Sequence, residues 1–97
     1  MTFVQVIDVT TSHFDEVLRM YDTWRAKTEG QRTVRGVWIL SDRDSPDRYV
    51  VVALFDTYAA AVTNNELAAT DVIAQKMTAL ADSLVYRNLD VLRIDGT

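Results

Sequence analysis

Ninety-seven residues, 48% of them hydrophobic and 25% charged, have the size and composition of one small globular domain spanning 1–97. A net charge of −4 speaks against nucleic acid, where lysines and arginines must replace phosphate counterions, and zero cysteines exclude disulfides, thiolate catalysis and zinc–thiolate sites. No apolar run approaches the ~20 residues of a membrane helix, and no secretory signal precedes the first strand, so a cytoplasmic protein is expected. One histidine among scattered carboxylates forms no metal-ligand spacing, and no metal or cofactor is expected.

Thr2–Thr10 is rich in β-branched residues and predicts a first strand, with Phe3, Gln5, Ile7 and Val9 on one face and Val4, Val6 and Asp8 on the other. Ser12 with Asp15 has capping-box spacing, which predicts a helix over about Ser12–Thr28. Phe14, Val17, Leu18, Tyr21 and Trp24 recur at helical spacing as its buried stripe, and Gly30 supplies the left-handed residue that ends such helices. Two apolar arms follow, Val34–Leu40 and Tyr49–Phe55, joined by a charged loop that holds the single proline, Pro46. Asp56 or Thr57 then caps a helical segment from Tyr58 to Val62. Asn64 and Asn65 interrupt it, and the pattern resumes near Thr70 with Ile73, Met77, Leu80 and Leu84 on one face. Val85–Ile94 predicts the last strand.

The order β-α-β-β-α-β predicts an α+β, ferredoxin-like fold, a four-stranded antiparallel sheet with two helices on one face. Both arms of the central hairpin are apolar on both faces, whereas a sheet with one wet face alternates apolar and polar residues. The face opposite the helices carries Val4, Val6, Trp38, Val51 and Phe55, or their alternates according to register. Such an apolar surface predicts a homodimer that packs sheet against sheet about a two-fold axis.

The hairpin ending Arg48-Tyr49-Val50-Val51-Val52-Ala53-Leu54-Phe55-Asp56-Thr57, with the opening Val4-Gln5-Val6-Ile7-Asp8-Val9, resembles the dimeric α/β-barrel superfamily, and within it the antibiotic-biosynthesis-monooxygenase-like (ABM) domains. The resemblance covers most of the chain in element order and these two patterns in residues. It implies either an enzyme of the monooxygenase-like or cyclase-like kind, such as a cofactor-independent monooxygenase acting on a hydroxylated aromatic or polyketide-like small molecule, or a non-catalytic dimeric module that binds a small molecule or an assembly partner. The haem-degrading branch fits poorly. Its first-strand asparagine falls at Gln5, its third-strand tryptophan at Phe55, and its haem-ligating histidine has no counterpart between Asp71 and Lys76.

For a monooxygenase the resemblance implies a pocket between sheet and helices, with an apolar wall and donors that stabilise a phenolate-like anion. The candidates are Gln5 from the first strand, Trp38 and Phe55 as walls, Tyr58 and Asn65 at the helix entrance, and Arg87 and Asn88 from the last strand. Each has a plainer reading. Trp38 fits a core or dimer-interface role, Tyr49 and Tyr86 are good strand formers, and the asparagines fit a helix break. A buried Gln5 needs a hydrogen-bond partner of some kind. His13 is the one side chain that ordinarily titrates near neutrality, and its place at a helix start suits an exposed residue. A sheet that binds RNA is excluded by the charge and by the aliphatic Val50–Leu54.

Overall fold

The computed structural model describes residues 2–96. In chain order the elements are β1 (Phe3–Thr10), α1 (Phe14–Lys27), β2 (Gly36–Ser41), β3 (Arg48–Phe55), α2 (Tyr58–Asn65), α3 (Ala68–Leu80) and β4 (Ser83–Asp90). The strands pair antiparallel throughout in the order β2-β3-β1-β4, so the first and third strands form the centre of the sheet. This is the expected ferredoxin-like arrangement, with the second expected helix divided in two. No helix among the described residues is long and apolar enough to cross a membrane.

Register decides which residues meet the helices. Phe3, Gln5, Ile7 and Val9 of β1 lie opposite Phe55, Ala53, Val51 and Tyr49 of β3, and Val37 and Ile39 of β2 continue those rows. Two apolar clusters form under the helices. Phe3, Ala53, Phe55 and Ala61 pack at one end beneath α2. Val9, Phe14, Val17 and Met77 pack at the other beneath α1 and α3, where the Phe14 and Tyr49 rings stack with centroids 3.8 Å apart. Val51 and Phe55 therefore belong to the helix face. The open face is instead formed by Val4 and Val6 with Val50, Val52, Leu54, Trp38, Leu40, Val85 and Leu89.

Three boundaries differ from expectation, each for a local reason. The first helix begins at Phe14 with His13 in the capping position and no side-chain cap. Thr11, rather than Ser12, is the hydroxyl in use: it donates to the Leu80 carbonyl at 2.8 Å and accepts the His13 N–H at 3.0 Å. Tying Thr11 to the end of α3 turns Ser12 outward. Between α2 and α3 the break falls at Glu66 and Leu67, two residues later than expected, because Asn64 does not compete for its own backbone. Its side chain is buried and Oδ1 accepts the Thr33 N–H at 3.2 Å, which ties α2 to the segment before β2. The last strand stops at Asp90, and Leu92 and Ile94 lie beyond it, exposed.

Thr57 caps α2 as predicted, its Oγ1 accepting the Ala60 N–H at 3.1 Å from an extended backbone. Thr57→Ala is expected to lose about 0.5–2 kcal/mol and Thr57→Ser only part of that. The check is a lower urea midpoint with an unchanged slope. Beside it Arg35 and Asp56 form an exposed pair at 2.6 Å. The hydrogen bond from Arg35 holds the Asp56 carboxyl below its ordinary range, and solvent screening keeps such a pair's contribution to stability small.

Candidate functional site

Between the two apolar clusters the sheet carries small or short side chains. The row Asn88–Gln5–Ala53–Val37 crosses its middle, and Ala53 has only a methyl group to offer the helices above. Space remains there. A cavity of about 110 Å³ lies between the sheet and the helix layer, floored by Gln5, Ile7, Val51 and Ala53, walled by Phe55, and roofed by Tyr21, Trp24, Ile73 and Met77. Leu18 and Tyr21 belong to the predicted buried stripe of α1 yet keep solvent access where they line this cavity, Leu18 at 40% exposure and Tyr21 with its ring stacked on Trp24.

No Lys, Arg, His, Asp or Glu lines the cavity. Its polar groups are the Gln5, Asn64 and Asn65 amides, Thr70, the Tyr21 phenol and the Trp24 indole. Three are already engaged: Trp24 Nε1–H donates to Thr70 Oγ1 at 2.8 Å, joining α1 to α3, and Asn64 Oδ1 accepts the Thr33 N–H. Gln5 and Asn65 make no side-chain hydrogen bond among the described residues, and no buried side-chain N or O there lacks a partner. Both amides therefore keep solvent contact and donors to offer. They also line the mouth, a wider space of about 200 Å³ beneath α3 that reaches Thr70, Asp71 and Tyr86.

Tyr86 is a strand former, as its residue type predicts. It lies opposite Ile7 on the helix side of the sheet, and partial burial pushes its phenol above the ordinary value of 10.0. A phenol raised in this way stays protonated near neutrality and can donate to an anion. Its place at the mouth follows from the pairing of β1 with β4, which no local pattern in the chain encodes.

The predicted site residues divide into three groups. Gln5, Phe55 and Asn65 come together on the cavity. Tyr58 and Asn88 lie outside its lining; the Tyr58 ring instead packs edge-on against Phe3 at 5.2 Å between centroids. Trp38 and Arg87 are on the wrong face of the sheet for pocket duty. Trp38 pairs with Val52 and is 51% exposed on the open side, and Arg87 pairs there with Asp8 at 2.6 Å. The alternation of strand side chains is the reason: Trp38 sits one residue from Val37, and Arg87 one from Tyr86 and Asn88. Arg48 also reaches Asp8, at 3.3 Å, so the one carboxylate on the central strand carries two guanidinium partners. His13 remains exposed at the start of α1, away from the cavity lining.

No protein-family model and no curated protein sequence matches the chain. Solved structures do. The chain is similar to SnoaB, a cofactor-independent oxygenase from Streptomyces nogalater, with 16% identity over 96% of this chain and 95% of that one, at a TM-score of 0.82. A structure described as an antibiotic biosynthesis monooxygenase gives 16% identity over 96% of this chain and all (100%) of that one, with a TM-score of 0.74. Rv0793 from Mycobacterium tuberculosis gives 9% identity over 99% of this chain and 100% of that one, with a TM-score of 0.80. At such identities the likeness lies in the backbone, and the resemblance read from the two central strands holds at that level: this chain has the fold that these structures share.

Proposed function

We propose that the chain is a cofactor-independent oxygenase of a hydroxylated aromatic or polyketide-like small molecule, held in the cavity between sheet and helices. The observation that carries this reading is an uncharged, largely aromatic and aliphatic cavity whose free amides gather at one end. An aromatic body fits the apolar walls, and a phenolic oxygen at the mouth meets the Gln5 and Asn65 amides and the protonated Tyr86. Donors placed there stabilise the anion that forms when the substrate loses a proton to water or to Asp71. The carbanion form of the substrate then passes electrons to oxygen and forms a carbon–peroxide bond. Loss of water from the peroxide leaves a quinone-type carbonyl, one oxygen atom retained and one released as water. SnoaB, a cofactor-independent oxygenase of the same fold, supports this reading.

One observation favours a second reading, a binding module without turnover. No group that ordinarily titrates near neutrality lines the cavity, so only a substrate that is itself acidic is readily deprotonated. A single series separates the two. Dihydroxynaphthalenes and hydroxyanthrones are screened by thermal shift, then by oxygen uptake. A compound at 100 times its Kd adds about 2.7 kcal/mol, which is about 10 °C or more for a domain of this size. Ala53→Leu, which fills the cavity floor, is expected to abolish the shift. Oxygen uptake with the bound compound supports the oxygenase, binding without uptake supports the module, and a flat screen sinks both.

The apolar open face supports a homodimer assembled sheet to sheet. Trp38, Leu40, Val85 and Leu89 are each about half exposed on it. Gly36 leaves room for the Trp38 ring, two of whose carbons lie 3.2 and 3.3 Å from where a Cβ would stand. A cysteine-free chain of this kind suits a reducing cytoplasm.

A further inference from the structure

On the solvent side of the helix layer, α1 and α3 enclose a second groove of about 180 Å³, separate from the cavity beneath. Its floor is apolar, with Trp24, Val72 and Ile73, and its rim is cationic, with Arg19, Lys27 and Lys76. The chain has only two lysines, and both stand on this rim. Neither pairs with a carboxylate among the described residues, while Arg19 makes only a long, exposed contact of 3.4 Å with Asp15. No carboxylate lines the groove, although acidic residues outnumber basic ones 14 to 10 in the whole chain. Elsewhere Arg35 pairs with Asp56, Arg48 and Arg87 with Asp8, and Arg93 with Asp95, while Arg25, Arg32 and Arg43 form no ion pair among the described residues. Two unpaired lysines and Arg19 thus stand around one apolar trough that no carboxylate lines, on a protein whose net charge is −4.

We propose that this groove is a second binding site, for a small monoanion with an apolar body such as an aryl or short alkyl carboxylate. The apolar part lies on Trp24, Val72 and Ile73, and the anionic head lies between Lys27 on α1 and Lys76 on α3. Charge complementarity selects the anion, and the apolar floor selects against inorganic phosphate or sulfate. The site also touches the one beneath it. Trp24 and Ile73 line both spaces, and the Trp24 indole is pinned to Thr70, a residue of the inner cavity, at 2.8 Å. An occupant of the outer groove therefore rests on the partition that roofs the inner cavity. The proposal does not depend on what the inner cavity binds.

The test uses the full chain carrying Trp38→Phe, which leaves Trp24 as the single tryptophan. Octanoate is titrated while the Trp24 indole N–H resonance and fluorescence are followed, with octanol as the neutral counterpart. The expected result is a saturable change with octanoate and none with octanol at the same concentrations. Lys27→Gln and Lys76→Gln are each expected to weaken octanoate about two- to fivefold and together about tenfold, and added salt to weaken it further. Both lysines are exposed, so these variants keep the fold, which circular dichroism verifies. Equal binding of octanol, an affinity unchanged in the double variant, or no saturable change would each overturn the proposal.

Discussion

Phe55→Ala is expected to be the most destabilising single truncation in this chain, at about 3–5 kcal/mol. Phe55 is 1% exposed at the end of β3, its ring 6.3 Å from that of Phe3, within the cluster that also holds Ala53 and Ala61. Two of its three buried neighbours there are alanines, which cannot extend to fill the space the ring leaves. The relaxation that softens many core truncations is therefore unavailable, and most of the transfer and cavity cost remains. Against a total stability of about 5–15 kcal/mol, the loss corresponds to a fall in Tm of about 12 °C or more. Because Phe55 also walls the inner cavity, the variant is expected to lose ligand response along with stability, whereas Phe55→Leu retains most of the latter. A chemical-denaturation loss below about 1 kcal/mol would show that this end of the sheet is not a packed core.

Val52→Asp is expected to convert the proposed sheet-to-sheet dimer into folded monomers. Val52 lies in the middle of the open face, opposite Val6 on one side and Trp38 on the other. In a single chain that face meets solvent, so the added carboxylate is hydrated and the fold stands. In a sheet-to-sheet dimer about a two-fold axis the same carboxylate is buried twice with no cation added to meet it. Each uncompensated buried charge costs about 3–5 kcal/mol, so the two together raise the dimer Kd by about ten-thousandfold or more. Analytical ultracentrifugation and circular dichroism together decide the matter. A wild-type chain that sediments as a monomer even at high micromolar concentration, or a Val52→Asp variant that remains dimeric, would remove the open face as the interface.

Much of the fold was legible because its signals are local. Alternation in β1 and β3 and the spacing of Phe14, Val17 and Trp24 are set by neighbours in the chain, and hydrophobic burial acts on them in the same direction as backbone preference. Boundaries were less legible where a side chain reaches far along the chain. Thr11 bonds Leu80, 69 residues away, and Asn64 bonds Thr33, 31 residues away, and these two contacts moved the start of α1 and the break after α2. Of the candidate site, Gln5, Phe55 and Asn65 were readable as a short polar or aromatic residue on a buried face or at a helix end. Trp38 and Arg87, named as pocket candidates, lie on the open face, since a single step along a strand exchanges the two faces of a sheet.

The sequence by itself determined the element order, the antiparallel ferredoxin-like architecture and the two-sided apolar character of the central hairpin. Those follow from periodicity and composition, which act over a few residues. Only the tertiary structure decided that Ala53 and Gln5 meet at mid-sheet to leave a cavity, that Tyr86 reaches its mouth, and that both lysines border one outer groove. Each of these is a meeting of elements distant in the chain, fixed by strand register and helix packing, and packing space is a property of the assembled elements rather than of any one of them.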